Sequence, residues 1–273
     1  MHNIRMVRKL DPGELVAIPF GRVYTQGIIG LDLSLRGPGL AVLLDGQLHR
    51  ASAWTDLKGL QKDYCHLLSW FKMAKNTESD RQHRIDMIVN WVCGAVVEAG
   101  RMAESVCVAL EGYAFSKRST GLSDIHELGG AVKGWLWSRR VPYRTYDPLT
   151  VKLAWTGKGN AEKRDMLEAC GRAYRDLWVG VGKSGAPRHL LGLAELAERD
   201  EMAASNIADA VLIAALLHEE LELKAGRSRL DRLDPSLRRV MIRTTKSEPE
   251  ALVSRPFITR EAASPPQPIL VRP

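Results

Sequence analysis

Three acidic residues stand where an apolar segment has no use for them. Asp32 follows Ile28, Ile29 and Leu31 in GIIGLDLSLRGPGLAVLL, Glu111 ends SVCVALE, and Asp209 lies within SNIADAVLIAALLH. A carboxylate in a sheet interior costs several kcal/mol unless a cation or hydrogen-bond donors meet it. Taken alone, Asp32 has two explanations: a divalent metal, or an Asx bond capping the RGPG turn behind it. If its strand runs parallel and next to that of Glu111, the two acids face each other across one strand spacing, about 5 Å. Two carboxylates that close stay ionised together only with a cation between them. All-oxygen ligation selects Mg²⁺, with Mn²⁺ able to substitute, over zinc. Ala210 beside Asp209 lets that helix approach a sheet closely and aim its carboxylate at the same point. Asn206 shares the helix face of Asp209 and has two readings. It is either the N-cap of an N-x-x-D capping variant or a neutral amide-oxygen ligand to a metal.

A second group is basic. TGKGNAEK, residues 156–163, continued by Arg164, offers glycine amides, a helix N-terminus and the side chains of Lys158, Lys163 and Arg164. This suits a phosphodiester, the alternative being an ordinary solvated turn and cap. The GxxxxGK[ST] spacing of a P-loop is absent. With two metals about 4 Å apart to activate water and stabilise a leaving 3′ oxygen, and Lys163 to offset charge on the phosphorus, no protein nucleophile is needed. Tyr113 and Phe115, just past Glu111, are rings able to stack on unpaired bases or to fill a core.

The elements that must position these groups follow from periodicity. Residues 27–55 read as three strands with a hairpin turn at Asp45-Gly46, and Gly30 as a point of close backbone approach. Residues 57–75 read as a helix with a stripe of Leu60, Tyr64, Leu67 and Leu68, and 79–100 as a second helix stopped by Gly100. Residues 105–115 give a strand. A helix over 123–139 follows, with Ser123 and Asp124 as caps and Gly129, Gly130 and Gly134 suited to close packing against a sheet or second subunit. A short strand to Tyr146, a proline break, a helix from about Ala161 and an apolar helix over 206–223 complete the order. The outcome is an α/β fold: a five-stranded mixed sheet flanked by helices. Its divisions are an N-terminal arm (1–26), a core domain (27–223) and a basic, partly disordered C-terminal extension (224–273).

The formal net charge of +7 over 273 residues points towards nucleic acid. Cys65, Cys93, Cys107 and Cys170 are scattered and fit reduced thiols, neither a disulfide framework nor a zinc site. No stretch reads as a secretory leader or as long enough to cross a bilayer, so no membrane partner and an intracellular location are expected.

In these motifs the chain resembles the RuvC family of Holliday junction resolvases, within the RNase H-like superfamily. The resemblance covers about Gly30 to His218: GLDLSLRGPGLAVL, ALEGYAF, IHELGGAVKGWLW, DPLTVKLAWTGKGNAEKRDML and SNIADAVLIAALLH, in that order. It implies an RNase H-like fold and a homodimeric, magnesium-dependent crossover junction endodeoxyribonuclease acting on four-way DNA. The same resemblance suggests a cytoplasmic setting in a bacterial or phage-infected cell. Asp32, Glu111 and Asp209 fall on the family's metal ligands, and Lys152 and Lys163 on its basic residues near the scissile phosphate. Lys117 and Arg118, after the second acidic strand, join Lys158, Arg164, Tyr113 and Phe115 as expected DNA contacts. The chain departs from the family at Ala114, where an aromatic wedge is usual, and at Asn206, where an acid or histidine is usual. The alternatives are a nuclease for flaps, forks or single strands, or a junction-binding protein with a weakened site. An actin-like ATPase is disfavoured because no second phosphate loop follows.

Overall fold

The computed structural model describes residues 24–64, 67–70, 77–112, 122–175, 192–244 and 249–260. Strands β1 (Tyr24–Asp32), β2 (Gly39–Leu44) and β3 (Gln47–Thr55) form an antiparallel meander. Then come α1 (Lys58–Asp63), β4 (Leu68–Trp70), α2 (Glu78–Met102), β5 (Ala103–Glu111), α3 (Leu122–Ser138) and β6 (Tyr143–Tyr146). The helices α4 (Pro148–Thr156), α5 (Lys163–Ala173), α6 (Leu193–Arg199) and α7 (Glu201–Lys224) follow, then a 3₁₀ turn (Leu230–Arg232) and α8 (Pro235–Ile242). The sheet order is β4-β3-β2-β1-β5-β6, with β5 parallel to both β1 and β6.

This is the mixed α/β sheet flanked by helices that the periodicity implies, with six strands in place of five. The sixth is β4. Leu60, Tyr64, Leu67 and Leu68 are all buried, but α1 ends at Asp63 and Leu68 enters the core from a strand parallel to β3. A four-residue apolar spacing fits both geometries, and the edge of β3 decides. Two more boundaries differ. Tyr24, Thr25 and Gln26, assigned to the N-terminal arm, already belong to β1, and α2 passes Gly100 to run directly into β5. The proline taken as a break instead starts α4: Pro148 sits in the first turn while Asp147 caps it, accepting from the Leu149 amide at 2.7 Å.

Strand period two divides the sheet residues. Ile29, Leu31, Val108 and Leu110 pack with α2 and α3, while Ile28, Cys107 and Ala109 pack with α4, α5 and α7. Asp32 and Glu111 share the phase of the second set, so both carboxylates lie on the α7 side of the sheet. Helix α7 lies almost on the sheet backbone. A Cβ at Gly30 would stand 2.1 Å from the Ala210 carbonyl oxygen, and one at Gly39 would stand 2.0 Å from that of Asn206. By length and composition α7 could cross a membrane, contrary to the expectation for this sequence, but Ile207, Val211, Ile213, Leu216 and Leu217 are fully buried in the core.

The C-terminal extension is not a loose basic tail over its described part. Leu237, Val240, Met241 and Leu252 enter the core on the α7 side. Arg144 of β6 forms a buried ion pair with Glu220 of α7 and donates to the carbonyls of Arg255 and Pro256, each at 2.7 Å. The Tyr146 hydroxyl donates to Glu220 at 2.8 Å. Ile258 bridges Tyr143 through bonds of 2.9 and 3.0 Å, covering the outer edge of β6. Frequent arginines mask the apolar spacing 237, 240, 241 in the sequence.

Because α7 contacts the sheet through main chain at Gly30, Gly30→Ala has no side chain to push aside. The substitution should lower unfolding free energy by about 1–3 kcal/mol or more, measured by denaturant titration. Unchanged stability would mean that α7 sits farther from β1.

Candidate active site

Asp32 closes β1 and Glu111 closes β5, and their strands pair in parallel through Leu31 and Leu110, so the acids stand on adjacent strands at the same level. The carboxyl ends of parallel strands are where α/β sheets open a crevice. A hydrogen bond links the Asp32 and Glu111 carboxyls. Asp209 projects from α7 against the same group and accepts from Ser205 Oγ, one turn earlier, at 3.5 Å. Burial raises the Asp32 pKa well above the ordinary carboxylate value, reinforced by the charges of Glu111 and Asp209 and by the hydrogen bond to Glu111, with Lys163 opposing. Glu111 is raised by burial and then by Asp209, against the pull of the Asp32 hydrogen bond and Lys152. Burial lifts Asp209 to about 6, with Lys152, Ser205 and Lys163 holding it down.

The turn after β1 decides between the two explanations of Asp32. Its amides at Arg36 and Gly37 donate to Ser34 Oγ at 3.2 and 3.4 Å, so Ser34 holds the turn. Asp32 faces acids. Asn206 is not the helix cap either: α7 begins at Glu201, and Asp200 caps it by accepting from the Ala203 amide at 3.0 Å. The Asn206 amide nitrogen donates to the Gly37 carbonyl, pinning the β1–β2 turn to α7. Its amide oxygen accepts no hydrogen bond among the described residues.

The basic group separates into parts. Lys152, half-buried on α4, and Lys163, exposed at the start of α5, both act electrostatically on the acidic cluster. Lys158 is exposed on the connecting loop, while Arg164 turns along its helix to Glu168 at 3.1 Å. Part of the loop's amide set is already used by the chain itself. The Gly157 amide donates to the Leu153 carbonyl of α4, those of Lys158 and Ala161 to partners within the loop, and that of Glu162 to the Asp165 carboxylate at 3.0 Å. An acid, Asp165, already occupies the start of α5. Tyr113, Phe115, Lys117 and Arg118 lie outside the described residues. The sequence reading missed Ser205 and Asp147. Ser205 was legible as the i−4 neighbour of Asp209, whereas Asp147 reaches Glu111 electrostatically only because β6 lies beside β5.

Among the described residues, no three aspartate, glutamate, histidine or cysteine side chains are arranged to hold a metal ion as they stand. Asp32 and Glu111 bond to each other and Asp209 to Ser205. The donor chemistry nevertheless fits Mg²⁺ or Mn²⁺: three carboxylates and one amide oxygen, with raised proton affinities that mark negative charge short of compensation. Cys107 and Cys170 are buried and Cys93 is half-buried, all as free thiols, and burial raises their pKa values.

No family model and no curated protein matches the chain. Among solved structures it is similar to Thermus thermophilus RuvC, at 19% identity over 73% of this chain and 96% of that one, with a TM-score of 0.43. It is also similar to T. thermophilus RuvC in complex with Holliday junction substrate, at 18% identity over 74% and 96% with a TM-score of 0.44. A third is the yeast mitochondrial Holliday junction resolvase, at 11% identity over 76% and 84% with a TM-score of 0.40. At such identities and superpositions, the roles of individual side chains do not transfer.

Raised carboxylate pKa values make the folded chain bind protons more tightly than the unfolded one. The stabilisation from this site is therefore full below the ordinary carboxylate range near pH 4, and drains away as pH rises through about 6 and beyond. In chelator, the melting temperature should fall between pH 5 and pH 8, and Asp32→Asn should flatten that fall. A wild-type profile that is flat, or one unaltered by Asp32→Asn, would contradict this account of the cluster.

Proposed function

We propose that this protein is a metal-dependent endonuclease that hydrolyses phosphodiester bonds in four-way DNA junctions. The observation that carries the proposal is the convergence of Asp32, Glu111 and Asp209 at the carboxyl ends of two adjacent parallel strands, with Lys152 and Lys163 beside them. A structural role does not explain this set. A stabilising buried carboxylate is expected to be paired, as Glu220 is with Arg144 on the same helix, and these three remain mutually repulsive. The family resemblance of the motifs supplies the substrate class.

Asp32, Glu111 and Asp209, with the Asn206 amide oxygen as a neutral fourth donor, would hold the divalent cation. When bound, Mg²⁺ or Mn²⁺ supplies activation of a water molecule and stabilisation of the departing oxyanion. The residues of the chain do the rest. Ser205 orients the Asp209 carboxylate, and the close approach of α7 at Gly30 fixes its height above the sheet. Lys163, exposed at the head of α5, meets the phosphate and offsets charge that grows on its oxygens in the transition state. Lys152 opposes protonation of Glu111 and Asp209 from the α4 side, and Lys158 and Arg164 contact flanking phosphates. A junction has two-fold symmetry and is resolved by two cuts, so a homodimer with two such sites is the assembly that matches it. Gly130 and Gly134 of α3 have open space above them among the described residues, room that a second subunit would fill.

Asp32→Asn, Glu111→Gln and Asp209→Asn should each abolish Mg²⁺-dependent cleavage of a labelled four-way junction, while junction binding stays within a few-fold of wild type because phosphate contacts supply most affinity. Parallel lanes with a flap and a single strand identify the preferred substrate, and normal turnover by Asp32→Asn removes the metal assignment. Lys163→Ala should slow cleavage at saturating DNA by roughly tenfold to a thousandfold, the size of a lost transition-state donor. A loss confined to affinity would make Lys163 a positioning contact.

A further inference from the structure

The 3₁₀ turn and α8 lie within the stretch, 224–273, that the sequence alone reads as a basic, partly disordered extension. In the structure they are an attached cationic ridge. Helix α8 is capped by Asp234, which accepts from the Ser236 amide at 2.8 Å, and turns Leu237, Val240 and Met241 into the core. It packs on α4, the helix that carries Lys152, and Ser236 Oγ lies 3.3 Å from the Cβ position of Gly157 in the loop that carries Lys158. With the inner face spent on the core, the outer one presents Arg238 and Arg239, and Arg232 and Arg243 flank it at either end; all four are exposed.

Exposed arginines without an acid among the described residues occur elsewhere too, at Arg36, Arg101, Arg139, Arg140, Arg172 and Arg175, so what marks the ridge is the grouping of four on one folded element packed against α4. Arg50, Arg81, Arg164, Arg199, Arg227 and Arg229 are each within ion-pair distance of an acid. Arg232, Arg238, Arg239 and Arg243 have no acidic partner among the described residues. Arg239 lies in the last turn of α8, where a cation complements the helix dipole, but that effect is worth under about 1 kcal/mol and concerns one residue of the four. Arg172 of α5 lines the cleft between Gly157 and Ser236 and extends the positive surface back towards the catalytic loop.

We propose that this ridge, centred on Arg238 and Arg239, is a second DNA-contact surface that binds the phosphate backbone of a duplex arm leading away from the acidic cluster. The proposal rests on the nuclease reading for its substrate and adds to it where the arm runs: over the end of α4, across the 157–158 loop and along α8. The fixed geometry matters. A folded helix presents its charges in one register to successive phosphates, whereas a disordered tail would also bind but would direct the arm nowhere.

The test uses the full chain with Arg238→Ala/Arg239→Ala, and Arg238→Lys/Arg239→Lys as its charge-conserving counterpart. Binding to a four-way junction is measured in chelator across a salt series, and cleavage in Mg²⁺ is measured separately. Loss of two phosphate contacts should make the slope of log affinity against log salt shallower by roughly two. The lysine pair should restore it, and the alanine pair should raise KM with kcat unchanged. An unchanged salt slope for the alanine pair, or a slope that the lysine pair leaves equally shallow, overturns the ridge. If wild type binds with the expected slopes but cleaves nothing in Mg²⁺, the nuclease reading fails and the ridge stands. Cleavage with identical slopes fails the ridge alone. Melting temperatures of all three proteins within a few degrees of one another show that the readout is binding, since neither arginine packs in the core.

Discussion

The approach of α7 to the sheet without intervening side chains is the constraint on which the rest of the molecule depends. Gly30 and Gly39 remove the atoms that would hold the helix at the usual distance, and Ala210 and Ala214 remove them from the other side. The consequence is a fixed height for Asp209 relative to Asp32, one strand away from Glu111. The same contact places Asn206 over the β1–β2 turn, where its amide ties Gly37 down. Core packing and the placement of acidic side chains are therefore one arrangement. Moving the helix outward by a methyl group would disturb both.

Helix α7 carries two buried carboxylates, Asp209 and Glu220, eleven residues and about three turns apart on one side of the helix. They are treated in opposite ways. Glu220 receives Arg144 and the Tyr146 hydroxyl, and Lys224 lies 3.5 Å away; the guanidinium in turn serves two carbonyls and stacks on Phe257 at 4.4 Å. Every charge there is answered within the chain, and the result is to lock β6, α7 and the C-terminal strap together. Asp209 receives one long bond from Ser205 and two lysine fields, and shares its region with two more acids. Burying negative charge without a full counterpart is costly, so the cluster is poised to bind cations or protons. The contrast between these two sites on one helix is the strongest physical reason to treat one as structural and the other as chemical.

Positive charge shows a similar division. Many exposed arginines are tied to neighbouring carboxylates, which lowers their value for an external polyanion. Four of those without an acid among the described residues lie on or beside the 3₁₀ turn and α8, next to the helix α4 that carries Lys152 and the loop that carries Lys158. A net charge of +7 thus understates the local field on that side of the molecule.

What the sequence determined by itself is the local chemistry: apolar strands ended by Asp32 and Glu111, a glycine at residue 30 that demands close approach, an apolar helix bearing Asp209, and the hairpin at Asp45-Gly46, whose positive φ angles of 48° and 78° match the turn. These follow from period, turn residues and the misfit of an acid in an apolar run. The tertiary structure alone decided the rest. Leu68 became a strand because the edge of β3 was there to pair with it, and Pro148 opened a helix because Asp147 could cap it. Asn206 lost its place as a cap because α7 begins at Glu201, capped by Asp200, five residues upstream of where the apolar spacing becomes evident. The arginine-rich extension folded because Arg144, buried on an edge strand, needed the carbonyls of Arg255 and Pro256. For Leu68 and for the extension the deciding partner is distant in the chain, whereas the caps of α4 and α7 are local. Sequence period reports which face of an element is apolar, but not which distant backbone group will be there to meet it.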